Sequence, residues 1–111
     1  MPDFKRGDVV RAPFPYTDRD TRQHRPAVVV SDGVIGNGLV WIVMITSAEN
    51  RPWTHDVDLG PHYADCGLPA PSVVRPVKIA TVDATRIDRI GALPADRLAE
   101  IDKALNDALG R

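Results

Sequence analysis

Short runs of apolar, often β-branched residues alternate along most of the chain with segments rich in Gly, Pro, Asp and Arg. The runs predict strands at residues 8–14, 27–31, 39–46, 55–59, 72–75 and 78–83. Some are almost entirely apolar, as in strands that are buried on both faces, whereas residues 55–59 alternate as in a half-exposed edge strand. The intervening segments 15–24, 33–38, 49–54 and 60–71 predict loops.

The pattern changes from Pro94 onward, where Leu98, Ile101, Leu105 and Ala108 recur at helical spacing. Pro94 suits a first helical turn and Gly110 suits a helix end, so we expect one C-terminal helix. Short strands with closely spaced turns predict a mainly β chain, a small and strongly bent antiparallel sheet or barrel, and argue against a βαβ fold. Because repeats and linker-like segments are absent, we expect a single domain over residues 1–111.

Size, charge and cysteine content narrow the function classes. The longest apolar run, residues 39–45, is too short to span a bilayer, and no N-terminal targeting signal is visible, so we expect a cytoplasmic protein. A net charge of −1 gives no global basic field, so any nucleic-acid site would be local. The single cysteine, Cys66, predicts neither a disulfide nor a metal site, and we interpret it as a small apolar side chain in a loop.

The first candidate for chemistry is Arg25, which ends the polar segment 21–26 directly before the predicted strand 27–31. A guanidinium held there by Pro26 and a buried strand could donate a fork of hydrogen bonds to a phosphate. It could equally pair with a carboxylate such as Asp8 or Asp32. These residues alone leave both interpretations open.

Two further clusters follow along the chain. Thr46 and Ser47 end a long apolar strand, where hydroxyls either face a cleft or cap a turn. Arg75 and Lys78 lie near one another across a proline bend, with Ser72 close by. These cations either line an RNA groove or are solvated charges on a sheet edge.

Phosphate loops, nucleophile elbows and paired zinc ligands are absent from the sequence, so we predict no cofactor and no metal. RNA cleavage is still open to such a chain, because RNA carries its own nucleophile in the 2′-hydroxyl. The protein needs to supply only a base, an acid and a cation that stabilises the transition state.

Taken in order, segments over nearly the whole chain resemble the MazF/PemK toxin family. They are 6–10 (RGDVV), 13–18 (PFPYTD), 25–31 (RPAVVVS), 45–47 (ITS), 67–69 (GLP), 72–75 (SVVR), 78–83 (KIATVD) and 90–93 (IGAL). The resemblance implies an SH3-like antiparallel barrel with a C-terminal helix, paired into a homodimer whose grooves bind single-stranded RNA. It also implies a toxin that cleaves RNA sequence-specifically without a metal, leaves a 2′,3′-cyclic phosphate, and is inhibited by a cognate antitoxin.

The resemblance also implies roles for individual residues. By position, Arg25 corresponds to the arginine that stabilises the transition state, and Thr46 to a threonine that contacts the phosphate or transfers a proton. Arg75 corresponds to an arginine that some members use as acid or charge stabiliser. We expect RNA to be bound by Thr17, Arg22, His24, Ser47, Ser72 and Lys78.

The chain departs from some relatives near Arg75. An acidic base follows that arginine by two positions in those relatives, but Val77 stands there in this chain. Relatives also often carry Gln and Arg where this chain has Lys78 and Ala80. A base would then come from elsewhere, with His24, Asp18 and Asp20 as the candidates.

Two other function classes share this fold. A gyrase poison of the CcdB type acts through the end of its C-terminal helix, where aromatic or apolar residues are typical, whereas this chain ends in NDALGR. A non-catalytic module that binds RNA or an antitoxin would not need Arg25 and Thr46 together. The sequence therefore favours the ribonuclease.

Overall fold

The computed structural model describes residues 3–13 and 24–111, which form a curled antiparallel half-barrel of six strands followed by one α-helix. The strands are β1 (Asp8–Pro13), β2 (His24–Val29), β3 (Leu39–Ser47), β4 (Val57–Asp58), β5 (Ser72–Asp83) and β6 (Asp88–Ala92), and the helix is α1 (Ala95–Ala108). Their order in the sheet is β4-β5-β3-β2-β1-β6. The predicted mainly β fold with a C-terminal helix is confirmed.

The central strands are buried on both faces, which explains their nearly continuous apolar sequences. Because successive strand residues point to opposite faces, Val10 and Ile42 pack in one core cluster and Val9 and Val43 in the other. The first cluster is closed by residues outside the central strands, among them Phe4 and Ile87. The second is closed by α1 and the segment before β5, among them Leu59, Cys66, Leu68 and Ile101.

Helix α1 follows the sequence prediction, and Cys66 is an apolar core side chain as predicted, although it lies in a 3-10 helix and not in a loop. Ile101 is fully buried against the second core cluster, with Leu105 packed beside it, as the helical spacing predicts. Cys66 is also fully buried in that cluster, and burial, together with the nearby carboxylate of Asp65, raises the pKa of its thiol. The thiol therefore stays neutral and behaves as an apolar side chain. No helix among the described residues has the length and apolarity to cross a membrane.

Three strand predictions needed correction. The loop predicted up to residue 24 ends earlier, because His24 and Arg25 belong to β2 and pair with Pro13 and Ala12 of β1. The edge strand predicted at 55–59 is confirmed at the sheet edge but is reduced to β4. Residues 72–75 and 78–83 form the single strand β5, whose register against β3 shifts between Val43 and Met44 to accommodate the extra residues around Pro76.

Strand β6 and a 3-10 helix at Gly60–Cys66 were not predicted. Two glycines allow the backbones of these two elements to pack closely together. A Cβ on Gly67 would lie 2.0 Å from the Ile90 carbonyl oxygen, and a Cβ on Gly91 would lie 2.0 Å from the Cys66 carbonyl oxygen. Gly67 also has a left-handed φ of 84° at the end of the 3-10 helix. Only glycine allows this approach of the two backbones, which fixes the start of the segment that leads to β5.

Candidate active site

Strands β2 and β3 bring Arg25 and Thr46 together. The antiparallel register pairs Ala27 with Met44, and its extension by two residues on each strand sets Arg25 level with Thr46. Both line one groove of about 270 Å³, which we call the strand-end groove. Two residues that are 21 positions apart in sequence are thus placed together by strand pairing alone.

The strand-end groove contains four of the predicted site residues, Arg25, Thr46, Ser47 and Ser72. Its remaining walls come from β2, the end of β3 and the segment before β5, namely Pro26, Ile45, Asn50, Leu68, Pro69, Ala70 and Pro71. A concave surface with one cation, several hydroxyls and apolar walls is typical of a binding site. Thr17, Arg22, Asp18 and Asp20 lie outside the described residues.

Asn50 is a member of this site that the sequence analysis missed. Its side-chain Nδ2 donates a hydrogen bond of 2.6 Å to Thr46 Oγ1, and its backbone N–H donates to the Ser47 carbonyl at 3.1 Å. A hydroxyl has one hydrogen to donate, so Asn50 occupies an acceptor position of Thr46 and leaves its O–H hydrogen to donate elsewhere. The available signal was an asparagine just after a strand end, where such residues form turns.

Ser47 and Ser72 are paired across β3 and β5, and their hydroxyls serve the local backbone. Ser47 Oγ accepts from the Glu49 N–H at 3.2 Å, and Ser72 Oγ donates to the Ala70 carbonyl at 2.8 Å. Turn capping, one of the two interpretations of hydroxyls at a strand end, therefore describes Ser47. RNA binding by both serines stays a prediction.

Arg75 lies apart from the strand-end groove, in a buried ion pair with Asp56. Its guanidinium donates to the two carboxylate oxygens at 3.1 and 3.0 Å and to the Arg51 carbonyl at 2.9 Å. The side chains of Arg75 and Asp56 are only 7% and 10% exposed. Such a bidentate pair orients both partners, so Arg75 holds the segment between β3 and β4 against β5.

Trp53 lies over the same arginine and brings Lys78 into the cluster. The Arg75 Cζ is 4.2 Å and the Lys78 Nζ 4.8 Å from the centroid of the Trp53 ring, which is cation–π distance. The predicted proximity of Arg75 and Lys78 is therefore confirmed, with Trp53 as the shared contact. We call Trp53, Asp56, Arg75 and Lys78 the Trp53 cluster. Sequence reasoning missed Trp53, because the segment 49–54 was interpreted only as a loop, and missed Asp56, because the segment 55–59 was interpreted only as a half-exposed edge strand.

Asp8 and His24 do not line the strand-end groove. Asp8, one carboxylate considered as a partner for Arg25, accepts hydrogen bonds from Arg89 at 3.0 Å and from the Lys5 N–H at 2.9 Å. His24 precedes Arg25 in β2, so its side chain points to the opposite face of the strand, and it does not line the strand-end groove. Within residues 3–13 and 24–111, no three His, Cys, Asp or Glu side chains are grouped so as to hold a metal ion.

Comparison with known proteins agrees with this fold. The family model of the PemK-like, MazF-like toxin of type II toxin-antitoxin systems matches residues 5–109. No curated protein sequence matches the chain significantly. The chain therefore belongs to the PemK-like, MazF-like toxin family and is a toxin of a toxin-antitoxin system.

Solved structures share the fold over almost their full length. A chain of the MazE–MazF complex from Deinococcus radiodurans has a TM-score of 0.76 and 26% identity, over 99% of this chain and 98% of that one. An endoribonuclease in complex with its cognate antitoxin, from a mycobacterial species, has a TM-score of 0.72 and 25% identity, over 99% and 96%. The Mycobacterium tuberculosis toxin MazF-mt6, 22% identical over 93% and 96%, shares the fold with a TM-score of 0.73.

Proposed function

We propose that this toxin is an endoribonuclease that cleaves single-stranded RNA at specific sequences, without a metal ion, by attack of the RNA 2′-hydroxyl on the adjacent phosphorus. The observation that carries the proposal is the presence of Arg25 and Thr46 in one open groove. Family membership adds support, since a similar structure is described as an endoribonuclease.

The negative charge that develops on the phosphoryl oxygens in this reaction has candidate stabilising groups in the strand-end groove. A base removes the 2′-hydroxyl proton, the 2′-oxygen bonds to phosphorus, and the bond from phosphorus to the 5′-oxygen breaks as that oxygen receives a proton. Arg25 stabilises the added negative charge on the phosphoryl oxygens, and Thr46 donates its O–H to one of them. Because Asn50 holds the Thr46 oxygen at 2.6 Å, this donor is pre-positioned.

Residue type and position narrow the candidates for the base. Val77 cannot take a proton, and the His24 side chain points away from the face that carries Arg25. Asp18 and Asp20, close before β2 in sequence, are the candidates that this arrangement favours. Arg75 keeps its predicted role of acid or charge stabiliser. Its ion pair with Asp56 also supports a second role, in which Arg75 positions the segment between β3 and β4.

The test is cleavage of RNA by purified protein in EDTA, followed by mapping of the new ends. We expect cleavage with a 2′,3′-cyclic phosphate and a 5′-hydroxyl, since the nucleophile belongs to the RNA. A 2′-deoxynucleotide at the mapped position should abolish cleavage there. The Arg25→Ala variant, purified in parallel, controls for contaminating ribonuclease. A requirement for Mg²⁺, or cleavage of the deoxy-substituted RNA, would contradict the mechanism.

We further propose that the toxin is a homodimer that pairs through an exposed apolar patch beside the end of α1. Trp41, Ile79 and Leu109 are 49%, 50% and 65% exposed and, with Leu105, line a groove of about 710 Å³. Large apolar side chains are seldom left exposed together on a monomer. A second copy that covers the patch adds buried apolar area to a small core and, by two-fold symmetry, builds two equivalent grooves.

Light scattering at micromolar concentration should give the mass of a dimer for the wild type. Ile79→Glu should give a folded monomer, because it places a charge in the apolar contact. Ala99→Glu is the matched control, since Ala99 is an exposed residue of α1 outside the patch. A monomeric wild type, or a dimer that Ile79→Glu leaves intact, would contradict this interface.

The antitoxin is proposed to inhibit by occupying the RNA site. Two similar structures are complexes with an antitoxin. A flexible segment with acidic or apolar side chains could take the positions of phosphates and bases in the strand-end groove beside Arg25. Inhibition would then be competitive with RNA.

A further inference from the structure

We propose that Trp53 is a stacking platform for a base of the RNA substrate, next to the nucleotides held in the strand-end groove. This inference rests on the proposed ribonuclease function and adds a second subsite to it. Trp53 is 42% exposed, although most tryptophans lie largely in the core. It borders a shallow cavity of about 470 Å³ with Arg51, Pro52, Thr54, His55 and Val77.

Hydrogen bonds hold the backbone that carries Trp53, and Arg75 and Lys78 contact its ring, which separates it from a tryptophan on a loose loop. The backbone N–H of Trp53 donates to Asp56 Oδ2 at 2.8 Å, and the backbone N–H of Asp56 donates to the Trp53 carbonyl at 3.1 Å. Arg75 binds the Arg51 carbonyl on one side of Trp53 and the Asp56 carboxylate on the other. A pre-ordered aromatic ring loses little conformational freedom when a base stacks on it.

The chemistry of the surroundings indicates a nucleic acid. Arg75 and Lys78 both lie within cation–π distance of the ring, so an aromatic surface and positive charge are combined in one place. Proteins that bind single-stranded RNA use this combination, in which bases stack on aromatic rings and cations attract the phosphates.

Trp53 lies close along the chain to a residue of the strand-end groove. Asn50 lines that groove, and Trp53 follows it by three residues, which span at most ~10 Å of chain. An RNA strand that places a phosphate beside Arg25 and Thr46 can therefore bring a neighbouring base to Trp53. Stacking there would add affinity and a preference between bases without contacting the reacting phosphate.

The test measures binding of short single-stranded RNA of random sequence in which every 2′-hydroxyl is methylated, so that cleavage is blocked. We expect Trp53→Ala to weaken binding about 10-fold, the scale of one base–aromatic stack, and Trp53→Phe to retain most of the affinity. Asn37→Ala, an exposed polar position that lines neither the strand-end groove nor the cavity beside Trp53, is the control and should bind as the wild type does.

Tryptophan fluorescence gives a second readout that does not depend on the alanine variant folding. The RNA should quench wild-type fluorescence, and the quenching should disappear in Trp53→Phe, where Trp41 is the remaining tryptophan. Quenching that persists in Trp53→Phe, or wild-type affinity in a folded Trp53→Ala, overturns the proposal. Quenching of Trp53 by an acidic peptide but not by RNA also overturns it, in favour of a protein-docking site.

Cleavage of unmodified RNA by the same preparations separates this proposal from the one on which it rests. A wild type that cleaves, with Trp53→Ala unchanged in binding and quenching absent, refutes the platform alone. A wild type that binds with Trp53 quenched but never cleaves refutes the ribonuclease function alone.

Discussion

Replacing Arg25 with alanine is expected to slow RNA cleavage by about 10²- to 10³-fold, the usual effect of losing one pre-positioned donor to a developing negative charge. Arg25 belongs to β2, where Ala12 of β1 is its register partner, so its backbone is fixed before RNA binds. The side chain lines the strand-end groove together with Thr46. Single-turnover cleavage of one defined RNA, with fold monitored by circular dichroism, measures the effect.

Two further variants separate the roles of charge and shape at this position. Arg25→Lys keeps the charge but loses the planar fork of donors, so we expect partial activity. Arg11→Ala removes a positive charge from the neighbouring strand β1, where Arg11 is exposed, and should leave the rate near that of the wild type. A near-normal rate for a folded Arg25→Ala would mean that Arg25 has only a structural role.

Much of the sheet was predictable because burial on both faces leaves a clear trace in the sequence. Strands β1, β2 and β3 contain residues such as Val9, Val28 and Val43 that are completely buried, and Arg11 is the one polar residue between Val9 and Pro13 of β1. Strand β6 begins with Asp88 and Arg89, contains Gly91 and lies at the sheet edge, so its pattern resembles a loop. Its pairing with β1 is a tertiary contact, which the local sequence pattern does not predict.

The candidate site was predictable only where its residues lie at strand ends. Arg25 and Thr46 adjoin apolar runs, so their presence at the rim of the sheet follows from the sequence, but their juxtaposition depends on the register of β2 and β3. Asn50 and Asp56 depend on the path of the segment between β3 and β4, where His55 has a left-handed φ of 75° that nothing in its residue type demands. The ion pair of Asp56 with Arg75 spans 19 residues and has no local signal.

Replacing Asp56 with alanine is expected to lower the free energy of unfolding by about 3 kcal/mol or more, because it leaves the buried Arg75 guanidinium without its counter-charge. The two side chains are 7% and 10% exposed, so water cannot solvate the remaining cation. The backbone N–H of Trp53 also loses the carboxylate that accepts its hydrogen bond at 2.8 Å. Urea unfolding at one fixed protein concentration, which keeps the concentration-dependent contribution of dimerisation the same for each variant, measures the loss.

The matched control is Glu100→Ala, which breaks the ion pair of Glu100 with Arg97 on α1, where the two side chains are 51% and 26% exposed. Water screens that pair, so its loss should be far smaller than that of Asp56→Ala. The double variant Asp56→Leu with Arg75→Met should recover part of the stability, since neither position then holds a buried charge. Equal losses for Asp56→Ala and Glu100→Ala would show that the Asp56–Arg75 pair does not hold the Trp53 cluster together.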